Sequence, residues 1–416
     1  MRRVFVFLLS FILMLNGLCV SAFCADVVKG EEDITLPTSF TASVEDKEAL
    51  SSLPVEVRAK SAVLMDVATG EILMAYNPDL KLFPASVTKI MTILLVAEAI
   101  NSKKISLSDK VSCSENAASK GGSQIWLEPG ETMSVDELLR ATVIGSANDA
   151  ATLLGEYVSG SEEAFIDLMN QRAKELGMKN TFFVNATGLD DTTESHLTTA
   201  RDIALMSKEL LKYDFILDYT TVWMDSLRNG ETELVNTNKL VRFYDGTTGL
   251  KTGTTAKAGC CVSASAKRDN LHLVAVVMGS LNSTDRFETA KKMLSWGFSN
   301  YSLYTPQIDE ELIKRVTVLK GVMQNVGVKC PVLSPILIKK GDSDKVRVDV
   351  ELSESVEAPV IAGQTLGTAC VYVGDEKINE YKFLAEGEVP KLNLKYSLLM
   401  IFNYISNGEE TCPFIL

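Results

Sequence analysis

The chain has 416 residues, 46% hydrophobic and 23% charged, with a net charge of −13 and a pI near 4.9. That length allows two or three domains with ample core. The acidic balance excludes nucleic acid as a partner and leaves no basic patch for a membrane surface.

Arg2 and Arg3 precede an apolar run from Val4 to Leu15 and then Leu18-Cys19-Val20-Ser21-Ala22. A positive end, a short apolar core and small residues at the cut predict a secretory signal, cleaved after Ala22 or Ala25. The run is short for a bilayer span, and a bulky residue precedes both Cys19 and Cys24, which argues against a lipoprotein signal. The expectation is an exported protein working outside the cytoplasm. Residues 26–53 are polar and acidic without periodicity and read as a linker.

Structure is expected from about Val55. Lys60–Val67 and Glu71–Tyr76 flank the turn Ala68-Thr69-Gly70 and predict a β-hairpin. Pro84 and Ser86 mark a helix start leading into an apolar run to Ile100 that lacks Gly and Pro, as in a buried helix. Ser108–Gln124 reads as loop. Ser134-Val135-Asp136-Glu137 has capping-box character and opens a helix to Ile144. The helix breaks at Gly145-Ser146-Ala147-Asn148, and another runs from Asp149 to Tyr157. Further helices are predicted over Glu162–Leu176, over Thr198–Leu211 with Thr198 as cap, and over Ser283–Phe298. Leu250–Gly253, Cys260–Ala266 and Leu271–Met278 are strands. From Leu303 short alternating strands dominate, such as Lys345–Leu352. The pattern predicts an α+β fold: an antiparallel sheet covered by helices, its first and last segments in one sheet, plus a small all-β C-terminal domain. In Lys391–Ile405, Leu394, Leu398, Ile401 and Ile405 share a helical face, suited either to a membrane interface or to docking on the β-domain.

The eight cysteines show no zinc-ligand spacing, so no metal or other cofactor is expected. Cys113, Cys260, Cys261, Cys330, Cys370 and Cys412 read as small buried apolar residues rather than a disulfide framework. The two histidines, His196 and His272, sit in no recognisable catalytic setting, which leaves a Ser-His-Asp triad without support.

Three motifs carry chemistry. Ser86-x-x-Lys89 puts a hydroxyl and an amine within one helical turn. An amine held neutral can serve as the base a serine nucleophile needs. By itself the pair reads more readily as an ordinary N-cap serine and a solvated lysine. Ser146-Ala147-Asn148 places a hydroxyl and an amide at an exposed corner between two helices, or is simply a capping device. S-x-N triplets also occur at Ser114 and Ser280. Lys251-Thr252-Gly253-Thr254-Thr255 offers a cation on a strand and a glycine that lets a ligand approach the backbone, or is a strand start with a bulge.

S-x-x-K, S-x-N and K-T-G in this order resemble the penicillin-binding serine enzymes and serine β-lactamases. More closely, the chain resembles the low-molecular-mass penicillin-binding proteins that are D-alanyl-D-alanine carboxypeptidases. Thr199-Ala200-Arg201-Asp202 and Leu294-Ser295-Trp296-Gly297-Phe298 add to this likeness. The resemblance implies a β-lactamase/transpeptidase-like catalytic domain over 54–301, after a signal at 1–25 and the linker 26–53. It also implies a β-rich domain over 302–388 and a membrane-associating tail over 389–416. It implies roles as well: Ser86 as acylated nucleophile, Lys89 as general base, and Ser146 as proton shuttle with Asn148 beside it. Lys251 and Thr252 would hold the terminal carboxylate, and the N–H groups of Ser86 and Thr254, next to Gly253, would form the oxyanion hole. Arg286 is left unassigned near the site. The implied partners are peptidoglycan stem peptides ending in D-Ala-D-Ala and β-lactams as covalent inhibitors, with peripheral membrane contact through the tail. Two alternatives are a β-lactamase, for which S-D-N would be usual where this chain has Ala147, and a non-catalytic wall-binding protein, which would lack one of the reactive residues.

Overall fold

The structure, a computed structural model, describes residues 53–398 and Phe402. The expected signal, nearly all of the linker and most of the tail lie outside the described residues. The chain divides into two compact units, with the break between Phe298 and Ser299.

In the first unit, β1 (Ser61–Asp66) and β2 (Ile72–Tyr76) form the expected hairpin. Asp66 Oδ2 closes its turn by accepting the Thr69 backbone N–H at 2.8 Å and hydroxyl at 2.7 Å. A 3-10 turn over Ala85–Thr88 runs directly into α1 (Lys89–Asn101). Every residue of α1 from Lys89 to Ala97 is buried, as an all-round apolar helix requires. The predicted loop Ser108–Gln124 instead contains a short strand, Lys110–Ser112, and a helical turn, Glu115–Ala118, capped by the Ser114 side chain. These pieces are too short to show a period.

α2 (Val135–Val143) begins with the predicted capping box: Ser134 Oγ accepts from Glu137 N–H, and the Glu137 carboxylate accepts from Ser134 N–H at 2.8 Å. α3 (Asn148–Ser159) and α4 (Glu162–Glu175) follow. α3 presents Gly155 to the ring of Phe165 on α4, so closely that a Cβ there would lie 2.6 Å from the ring. α5 (Ala200–Leu210) is capped by Thr199 rather than Thr198: Thr199 accepts from Asp202 N–H at 3.1 Å. Thr198 is held elsewhere, bridging to Leu82 and bonding Thr181 at 2.7 Å.

β3 (Thr247–Thr255), β4 (Gly259–Arg268) and β5 (Leu271–Ser280) complete an antiparallel sheet of order β2-β1-β5-β4-β3. The first and last segments therefore share one sheet, as expected. β1 is wholly buried, paired with β2 and with β5 from Ser61↔Met278 to Asp66↔Leu273. α6 (Ser283–Asn300) packs through Gly297 against the side chains of Leu273 and Leu64.

The second unit is β-rich. Its largest sheet joins Val346–Leu352, Thr365–Val373 and Glu376–Ala385, with Val328–Lys329 at one edge. Val316, Val360, Leu366 and Val389 form part of its small core. Residues 394–398 are helical, with Leu394 and Leu398 exposed. Among the described residues no helix is long and apolar enough to cross a membrane. Cys113, Cys260 and Cys261 are free and buried, as expected. Cys330 is free and exposed and Cys370 half-buried, both in the second unit, whose core is small, and Cys412 lies outside the described residues.

Phe165 is fully buried where α3 and α4 touch. Phe165→Ala is expected to lower unfolding free energy by about 3–5 kcal/mol, measured by urea denaturation of the first unit's transition.

Candidate active site

Three stretches distant in sequence converge at the start of α1. The 3-10 turn carries Ser86 half-exposed and then buries Lys89 completely. Lys89 Nζ lies 3.0 Å from Ser86 Oγ, 2.5 Å from Asn148 Oδ1 and 3.1 Å from the Thr187 carbonyl. The turn is strained just before the nucleophile position: Ala85 has φ 49°, a region that non-glycine residues rarely occupy.

Two glycines grip this turn. A Cβ on Gly253 of β3 would lie 2.7 Å from the Ser86 backbone N and 2.9 Å from Ala85 Cβ. The sequence suggested that Gly253 leaves room for a ligand. The structure adds a second reason for glycine there: β3 approaches the Ala85-Ser86 segment so closely that a side chain at 253 would collide with it. From the loop after α4, Gly188 (φ 90°) approaches the Ala85 carbonyl so closely that a Cβ would sit 1.8 Å from its oxygen.

Ser146-Ala147-Asn148 is not at an exposed corner; all three residues are buried. The loop before α2 covers them. Asn148 N–H donates to the Ser123 carbonyl at 2.6 Å and Asn148 Nδ2 to the Gly121 carbonyl at 2.6 Å. Asp149 fastens the same loop by accepting from Ile125 and Leu127 N–H. Ser146 lies in the left-handed region, φ 61°, between α2 and α3.

On β3, Lys251 is buried and its Nζ donates to the Thr252 carbonyl at 3.3 Å. Thr252 Oγ1 donates to Thr237 Oγ1 at 2.7 Å. Arg286 of α6, left unassigned by sequence, is buried behind the strand. Its Nη1 donates to the Gly253 carbonyl at 3.2 Å, Thr254 Oγ1 at 2.9 Å and the Cys261 carbonyl at 3.4 Å. A signal was present: Arg286, Ala290, Met293 and Gly297 fall on one buried face of α6, where arginine is out of place. Thr187 and Thr237 had no signal, because a backbone carbonyl has no residue-type signature and an isolated threonine reads as surface.

Burial is the main force on both lysines. It pushes Lys89 well below its usual 10.5, aided by the Lys251 charge and opposed by Asp149. Lys251 is lowered to about 7 by burial and by the Arg286 guanidinium. His196 is structural. Its Nδ1 accepts from Val184 N–H at 3.2 Å, so Nε2 carries the hydrogen facing Thr88 Oγ1 at 2.8 Å. Burial holds this ring neutral, with a pKa near 4. Among the described residues no group of acids, cysteines and histidines could hold a metal.

A serine hydroxyl bonded to a buried lysine amine whose charge is disfavoured by burial is an arrangement that can serve serine acyl transfer, with lysine where histidine more often stands. Comparison with known proteins agrees. Residues 46–282 match the D-alanyl-D-alanine carboxypeptidase family, and residues 301–391 match the penicillin-binding protein 5 C-terminal domain. The chain is 43% identical to D-alanyl-D-alanine carboxypeptidase DacF of Bacillus subtilis, covering 85% of this chain and 91% of that one. It is 35% identical to DacC of Escherichia coli, covering 83% and 86%. Penicillin-binding protein 5 of Haemophilus influenzae superposes with a TM-score of 0.72 at 30% identity, covering 82% of this chain and 99% of that one. Ampicillin-bound penicillin-binding protein D2 of Listeria monocytogenes superposes at 0.54 with 31% identity, covering 59% and 100%. The chain belongs to the D-alanyl-D-alanine carboxypeptidase family, within the low-molecular-mass penicillin-binding proteins. It is a serine-type carboxypeptidase of peptidoglycan metabolism.

A lysine whose folded pKa is depressed binds fewer protons folded than unfolded, so its destabilising effect is full below the folded pKa and vanishes above about 10.5. Lys89→Met is therefore expected to be inactive yet more stable than wild type at neutral pH. Thermal denaturation as a function of pH checks this: the gap should close as pH rises toward 10.5.

Proposed function

We propose that this enzyme removes the terminal D-alanine from peptidoglycan stem peptides ending in D-Ala-D-Ala, through an acyl-ester on Ser86. The observation carrying this reading is the 3.0 Å contact between Ser86 Oγ and the fully buried Lys89 Nζ. Ser86 Oγ attacks the carbonyl carbon of the penultimate D-alanine while its proton passes to neutral Lys89. Negative charge develops on the carbonyl oxygen, and the N–H groups of Ser86 and Thr254 receive it. Gly253 supports that pairing, since it packs the strand segment next to Thr254 against the Ser86 backbone. The C–N bond then breaks as Ser146 gives its proton to the leaving amine and takes up the one held on Lys89, and water hydrolyses the ester.

Lys251 and Thr252 hold the terminal carboxylate, with Asn148 flanking the reacting groups. A Lys251 pKa near 7 suits this role: an arriving carboxylate favours the ammonium and restores its charge. Thr237 and Arg286, bonded to Thr252 and Thr254, fix the hydroxyls of that strand. β-Lactams acylate Ser86 in the same manner and inhibit wherever the ester hydrolyses slowly.

Residues 54–301 form the catalytic domain and 302–388 the β-rich domain. Residues 1–25 direct export, which puts the enzyme at the outer face of the cytoplasmic membrane. Residues 389–416 rest on that membrane, a reading supported by the exposure of Leu394, Leu398 and Phe402.

Purified residues 26–416 are expected to release D-alanine from a D-Ala-D-Ala pentapeptide, with Ser86→Ala reducing release by roughly a thousandfold or more. Mass spectrometry should show a penicillin adduct on wild type and none on Ser86→Ala. Rapid penicillin hydrolysis without D-alanine release would move the assignment to β-lactamase. For the tail, a protein lacking residues 390–416 should lose sedimentation with anionic lipid vesicles, and undiminished sedimentation would remove that role.

A further inference from the structure

The loop between α4 and α5 is irregular from residue 183 to 196, yet it is tied down at nearly every polar group near Lys89. The Ala186 carbonyl accepts from Thr92 Oγ1 at 2.7 Å, and the next carbonyl, Thr187, accepts from Lys89 Nζ at 3.1 Å. The Asn185 side chain sets the turn. Its Oδ1 accepts from Thr187 N–H and Gly188 N–H, and its Nδ2 donates to the Leu189 carbonyl at 2.7 Å. The far end of the turn is fastened to the end of β3. Thr255 Oγ1 donates to Asp190 Oδ2 at 2.5 Å, and Lys257 Nζ donates to the Asp190 carbonyl at 2.9 Å. Asp190 is 2% exposed, in a chain segment that otherwise has no helix or strand to hold it.

The valence of nitrogen explains what this bracing does. Protonated, Lys89 Nζ has three hydrogens for three neighbours: Ser86 Oγ, Asn148 Oδ1 and the Thr187 carbonyl. Neutral, it has two hydrogens and one lone pair. Asn148 Oδ1 and the Thr187 carbonyl only accept, so they take the two hydrogens. The lone pair is left facing Ser86 Oγ, the one neighbour that can donate. Two fixed acceptors therefore aim the base.

We propose that Asp190, through its bond to Thr255, is a positioning residue that holds the Thr187 carbonyl on Lys89 and so keeps the lone pair on Ser86. It touches neither substrate nor reacting atoms. The latch also couples the strand bearing Lys251 to the orientation of the base. This inference rests on Lys89 acting as the base of Ser86.

The test is the pH dependence of Ser86 acylation by a fluorescent penicillin, by stopped flow, in wild type, Asp190→Ala, Thr255→Val and Thr255→Ser. Breaking the latch is expected to lower the plateau rate about tenfold or more. It should also move the acid limb to lower pH, because a lost acceptor disfavours the ammonium more than the amine. Thr255→Ser keeps the donor and should retain the wild-type profile. The double variant Asp190→Ala/Thr255→Val should be no worse than either single one. A lower plateau with an unmoved limb would mean a smaller fraction of folded enzyme and would overturn the proposal, as would a wild-type profile in folded Thr255→Val. If Asp190→Ala does not fold, Thr255→Val decides alone. Failure of wild type to be acylated at all would instead overturn the reading of Ser86 and Lys89.

Discussion

Burial of one amine is the constraint to which the rest of this structure answers. Lysine in water keeps its proton to about pH 10.5, and a charged lysine cannot take a proton from serine. Removing water from Lys89 disfavours the charge by several kcal/mol. The apolar run of α1 makes this possible by putting the site at the end of a helix buried on all sides. The desolvated nitrogen is not left without partners. Asn148 and the Thr187 carbonyl receive its hydrogens, so the nitrogen is buried and also fully bonded. This destabilising feature is tolerated because the surrounding core is large.

The second constraint is steric. Ser86 lies on a 3-10 turn whose preceding residue has a left-handed backbone. Gly253 and Gly188 press on that turn from a strand and from a loop, with no space for a side chain at either position. The central sheet places β3, the last helix places Arg286 behind it, and a loop without regular structure supplies Thr187 and Asp190. Asn148 of α3 and the Thr187 carbonyl bond Lys89, and Gly253 of β3 lies against the Ser86 backbone. This is how an antiparallel sheet with helices on it becomes an acyl-transfer site.

Much of this was legible in the sequence, for identifiable reasons. Long apolar or amphipathic runs located α1 to α6, and the capping box at Ser134 located the start of α2 to the residue. The order S-x-x-K, S-x-N, K-T-G pointed to the chemistry. The failures are equally physical. Thr198 and Thr199 are chemically equivalent as caps, and only the pairing of Thr198 with Leu82 decides between them. Ser146 to Asn148 read as an exposed corner because the loop that buries them, around Gly121 to Leu127, has no periodicity. The approach of Gly253 to the Ser86 backbone was not legible, because the pairing of a strand with a distant turn leaves no local pattern. Thr187 acts through its backbone, which no residue type announces.

The most direct test of this account is the pH dependence of penicillin acylation of the wild-type enzyme. If burial keeps Lys89 neutral, the rate should reach its plateau at a pH well below 10.5. A rate that instead climbs about tenfold per pH unit through pH 9 would show that Lys89 keeps its proton in the folded enzyme, and would contradict the account at its centre.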